Sequence, residues 1–113
     1  MGVPGGDSGT QQVGVTTQFT TISIEAQMAD LFYEIGDRIA DGTLNPLAGA
    51  LLQQKLLFSY FALQINRPDK AILYLEAFIY KVEKYEWHGL LSPDLAADWT
   101  ARAQSLITQI SAQ

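Results

Sequence analysis

Apolar and polar residues change their rhythm twice along this chain. Residues 1–12 are rich in Gly, Ser and Gln and offer too little apolar surface to offset the entropy of ordering a backbone. In QVGVTTQFTT, Val13, Val15, Thr17 and Phe19 then recur at every second position, which is the alternation of a strand built from β-formers. From Ser23 onward the period becomes helical.

Ser23 predicts the N-cap of a first helix, with Ile24, Met28, Leu31, Ile35 and Ile39 on one face, Asp30, Glu34, Asp37 and Asp41 on the other, and Gly42 as its stop. Asn45-Pro46 opens a second helix that runs to about Ile65, with proline at the one helical position where its missing N–H does no harm. The apolar residues of this helix keep to no single stripe. Leu52, Leu56, Tyr60 and Leu63 form one face, Leu47, Leu51, Phe58 and Ile65 another, and Leu57 and Phe61 lie between them. A helix apolar nearly all round is expected to be surrounded by protein.

A third helix follows the turn at Asn66-Arg67-Pro68-Asp69 and extends to about Trp87. Its expected core stripe is Ile72, Leu75, Ile79 and Val82, flanked by Tyr74, Phe78 and Tyr85, while Leu73, Ala77 and Tyr80 line up on another side. Gly89 ends it, and Ser92-Pro93-Asp94 opens a fourth helix faced by Leu95, Trp99, Ala103, Leu106 and Ile110. Four helices with short connections predict an all-α antiparallel four-helix bundle over 23–113, preceded by an extended arm over 1–22. A single strand at 13–20 has no edge to pair with in its own domain, so it pairs with a neighbour; a tether or a disordered tail are the other readings.

With 48% hydrophobic residues, the 113-residue chain can bury a core without disulfides, and its lack of cysteine removes thiol catalysis and Cys-containing zinc sites. The net charge of −5, with no run of Lys or Arg, argues against nucleic acid as a partner. LLQQKLLFSYFALQI is interrupted by Gln53, Gln54, Lys55, Ser59 and Gln64, so no transmembrane segment is expected. MGVPGGDSGT has neither the basic nor the apolar region of a signal peptide, which leaves a protein that stays inside or the mature or excised part of a longer one.

Candidate chemistry is sparse. His88, the only histidine, stands two residues from Glu86, a spacing that puts the two on opposing sides of a helix, and it reads as a helix-end residue rather than a ligand. Trp87 reads as a packing residue at the hinge, with a partner-binding role as the alternative. The acidic side of the first helix reads as a solvated face, with Glu34 and Arg38 paired at the i, i+4 spacing, rather than as a cation site. No phosphate loop, dinucleotide fingerprint, zinc-protease motif or nucleophile elbow occurs, and no catalytic residue, cofactor or metal is expected.

The informative feature is the surplus of large apolar side chains on the two middle helices. Part of it is core. Four short helices cover only part of Leu57, Phe58, Phe61, Leu73, Tyr74, Tyr80 and Tyr85, and these residues, with Val13, Val15 and Phe19 of the arm, form the expected interface to a protein partner.

Residues 29–107 also carry a family pattern. A helix ending in Gly42, a second helix with Leu52 and Leu56, the series Lys70, Ala71, Leu75, Phe78 and Val82, and the hinge Gly89-Leu-Leu-Ser92 together resemble the FIMAH domain, a helical module appended to secreted or surface-attached proteins of bacteria and archaea. The histidines that many such domains carry on the second and third helices are absent here. The resemblance implies a non-catalytic accessory module outside the cytoplasm.

The reading that unites these points is a structural or protein-interaction module. It self-associates or docks on a host-chain domain through its arm and its middle helices, in the sharper version as a subunit of a filament or surface assembly. The alternative is a small-molecule or lipid-binding bundle whose aromatics line a cavity.

Overall fold

A computed structural model describes residues 22–113. The alternating segment at 13–20 lies outside the described residues. Four helices follow one another: α1 (Ile24–Ala40), α2 (Pro46–Gln64), α3 (Pro68–Trp87) and α4 (Pro93–Ser111). Each packs on its chain neighbours, most extensively α2 on α3, and α4 closes the ring on α1 through the slightest of the four contacts. This is the expected four-helix bundle.

The caps are made by the residues that announce them. Ser23 Oγ accepts from the backbone N–H of Ala26, Asn45 Oδ1 from those of Leu47 and Ala48, and Ser92 Oγ from that of Leu95. Three helices end in the same way. At α1, α2 and α3 the residue after the C-cap has a positive φ, at Gly42, Asn66 and Gly89. In each case its N–H bonds back three residues and the next N–H bonds back five, as in Thr43 to Arg38, Arg67 to Ala62 and Leu90 to Tyr85. The turns themselves contribute to the core. Leu44 and Leu91, each just before a cap, are buried in the same core as Ala48 and Ala96, so the chain entering α2 and α4 is anchored by apolar burial.

The core of α3 differs from the expected stripe by one row. Ala71, Leu75, Phe78, Val82 and Tyr85 are buried, alternating by four and three residues, while Ile72 and Ile79 are only half-buried. The apolar arc of α3 runs from Tyr74 on one flank to Ile72 and Ile79 on the other, and its midline faces the core. On α2 the buried positions include Ala48, Gly49, Ser59 and Ala62. These small residues let the backbones approach closely, and Ser59 Oγ donates to the carbonyl of Ala71 on α3 at 2.8 Å.

The closing contact of α1 with α4 is polar as well as apolar. Glu34 does not pair with Arg38 as the i, i+4 spacing predicts. It accepts from Trp99 Nε1 and Arg102 Nη1, each at 2.7 Å, while Arg38 turns to Asp41. A half-buried carboxylate gains more from two donors on a packed neighbour than from one mobile guanidinium along its own helix. Nearby, Gln27 and Gln109 exchange a reciprocal pair of amide hydrogen bonds at 2.8 and 2.9 Å.

Candidate interaction surface

The candidate site is the side of α2 and α3 that faces away from the bundle. On α2, Leu47, Leu51, Gln54, Phe58, Phe61 and Ile65 are spaced 4, 3, 4, 3 and 4 residues apart and therefore form one continuous row. Most of the row is accessible, with Leu47 71% exposed, Phe61 52% and Ile65 70%, while Leu51 is half-buried. Leu57 and Phe58 are also exposed. On α3, Leu73, Tyr80 and Trp87 recur every seven residues and are all exposed.

Electrostatically the α2 row is blank. Lys55 is the one charged residue among the nineteen of α2, and it lies outside the row. Covering the α2 row therefore desolvates no ion. Phe58 is held at the margin by the Tyr74 ring of α3, with centroids 5.4 Å apart.

Of the expected interface residues, Leu57, Phe58, Phe61, Leu73 and Tyr80 are exposed and Tyr74 is half-buried against Phe58. Val13, Val15 and Phe19 lie outside the described residues. Tyr85 is a correction: at 7% exposure it belongs to the core, because the buried row of α3 passes through Phe78 and Tyr85. Burial also pushes its phenol above the ordinary value. Trp87 is a second correction, 85% exposed instead of packed at the hinge. Leu47 and Ile65, absent from the expected interface, are the most exposed apolar residues of α2, and the 4-3 spacing of their row is the signal that identifies them.

His88 is the C-cap residue of α3, and both it and Glu86 are exposed. Among the described residues no three His, Asp or Glu side chains converge on a metal position, and no helix is long and apolar enough to cross a membrane. An open groove of about 260 Å³ lies between α1 and α2 and shares Leu57 with this surface; Met28, Phe32, Tyr33 and Tyr60 also line it, with Glu25 as its one charged wall residue.

Neither a family model, nor a curated protein, nor a solved structure matches this chain.

Proposed function

We propose that this domain is a non-catalytic protein-interaction module whose working surface is the outward side of α2 and α3. One observation carries the reading: an uncharged row in which Leu47, Phe58, Phe61 and Ile65 stand exposed, interrupted only by half-buried Leu51 and polar Gln54, lies on a helix whose other side already fills the core. Contiguous apolar surface of this kind is rare on a protein that works alone, and it suits an amphipathic helix laid along it. The arm over 1–22 adds to the same role as a docking segment, and the resemblance to FIMAH domains supplies the compartment, outside the cytoplasm.

Selection of 20-residue amphipathic helical peptides against the folded chain tests the reading. The expected binders shift the amide resonances of Leu47, Phe58, Phe61 and Leu73 and lose affinity at least tenfold in Phe61→Glu, with helical content unchanged by circular dichroism. Binders that ignore this substitution overturn it.

The groove between α1 and α2 favours a second reading, small-molecule or lipid binding. A fluorescent fatty acid whose binding shifts Tyr33 and Tyr60 but not Phe61 supports that reading instead.

A further inference from the structure

The groove between α1 and α2 carries a charge that selects among small ligands, an inference that rests on the small-molecule reading of that groove and is independent of the α2 row. Its lining is apolar and aromatic: Met28 is buried, Phe32 and Tyr60 are half-buried, and Tyr33 and Leu57 are exposed. The charged exception is Glu25. Three helices have an acidic residue in the first turn, where the positive end of the helix dipole favours a carboxylate: Glu25, Asp69 and Asp94. Asp69 and Asp94 are exposed, and Asp69 pairs with Arg67 at 3.3 Å. Glu25 is half-buried against the apolar lining and has no ion-pair partner among the described residues. We infer that the groove takes a small organic ammonium, with its cationic head at Glu25 and its apolar body among Phe32, Tyr33 and Tyr60.

A carboxylate held partly out of water attracts a cation, and repels an anion, more strongly than one in bulk solvent. The field of α1 has the same sign. Glu25, Asp30, Glu34 and Asp37 are set against Arg38 alone on this helix, and the chain as a whole carries −5. Aromatic rings add an attraction for an ammonium group that a neutral or anionic head does not receive. The volume limits the body of the ligand: at about 30 Å³ for each water-sized atom, the 260 Å³ of the groove admits roughly nine non-hydrogen atoms. Octylammonium is of that size.

Three ligands with one tail and different heads separate the parts of this inference. Octylammonium, octanol and octanoate are titrated into the full chain while the amide resonances of Tyr33 and Tyr60 are followed. Octylammonium is expected to bind about tenfold tighter than octanoate, with octanol between them, and added salt should narrow the gap. In Glu25→Gln the affinity for octanol is expected to stay unchanged, which reports an intact groove, while the advantage of octylammonium over octanoate falls to about twofold.

Equal binding of the three heads overturns the ammonium assignment and leaves the groove as an apolar site. A preference for octylammonium that survives in Glu25→Gln overturns Glu25 as its source. If none of the three binds, the small-molecule reading of the groove falls together with this inference, and shifts confined to Phe61 and Ile65 overturn the groove as the site. The peptide test at Phe61 is decided separately from all of these.

Discussion

The indole nitrogen of Trp99 donates a 2.7 Å hydrogen bond to Oε2 of Glu34, joining α4 to α1 across 65 positions of sequence. Arg102 adds a second donor to the same carboxylate at 2.7 Å. The α1–α4 contact is the lightest in the ring, so this cluster and the Gln27–Gln109 amide pair close the bundle.

Partial burial pushes the Glu34 carboxyl up, but the hydrogen bonds from Trp99 and Arg102 and the charges of Arg102 and Arg38 outweigh it, and the group ionises below its ordinary value of 4.5. A depressed carboxyl stabilises the fold fully above its unfolded value and loses that contribution as pH falls through the folded one. Glu34→Gln is expected to lose about 1–3 kcal/mol at pH 7. Denaturant melts of parent and variant should converge as pH drops below 4.5. A gap that stays constant down to pH 2.5 would show that the charge of Glu34 contributes nothing.

Asn66 holds φ at +60° at the end of α2, where α1 and α3 use Gly42 and Gly89 for the same bonds. The left-handed region is strained for a residue with a Cβ, although less so for asparagine than for most. Asn66→Gly should therefore stabilise the domain by up to about 1 kcal/mol, and Gly42→Ala should destabilise it by about as much. Both are read as shifts of the urea midpoint at constant slope.

The helix ends were legible because each is written in local chemistry: Ser23, Asn45-Pro46 and Ser92-Pro93 start helices, and Gly42 and Gly89 stop them. Rotation of a helix about its own axis is not local. Tyr85 and Ile79 both lie on the apolar arc of α3, and only the positions of α2 and α4 decide that Tyr85 turns inward. Glu34 met its nearest cation in sequence at Arg38, yet its partner Arg102 lies 68 positions away. The outward row of α2 was half legible. The sequence groups Leu47, Leu51, Phe58 and Ile65 as a second face, but which face the core takes is a tertiary matter.

At Gly49, α2 passes close against the end of α1. A Cβ at this position would come within 2.5 Å of Cγ1 and Cδ1 of Ile39 and 3.1 Å of Leu44 Cδ2. Alanine gains about 1 kcal/mol of helix propensity there, but forcing a branched side chain out of a packed site costs about 1–3 kcal/mol. Gly49→Ala is expected to be destabilising on balance. A thermal melt in which the variant outlasts the parent would mean that Ile39 moves aside freely.

Leu47 and Leu52 offer the most direct comparison between a face that holds the fold and a face that does not. The two are the same residue type on the same helix, one 71% exposed and the other fully buried. Leu52→Ala removes a side chain from the centre of the core and should cost about 2–5 kcal/mol through lost burial and the cavity left behind. Leu47→Ala removes the same atoms from the surface of the monomer, where the expected change is within about 0.5 kcal/mol. The monomer's stability has to be measured at low micromolar concentration or below, since a partner bound to the folded state adds to apparent stability by mass action. A large Leu47→Ala penalty would place Leu47 inside the packed domain and remove the basis for an exposed apolar row on α2.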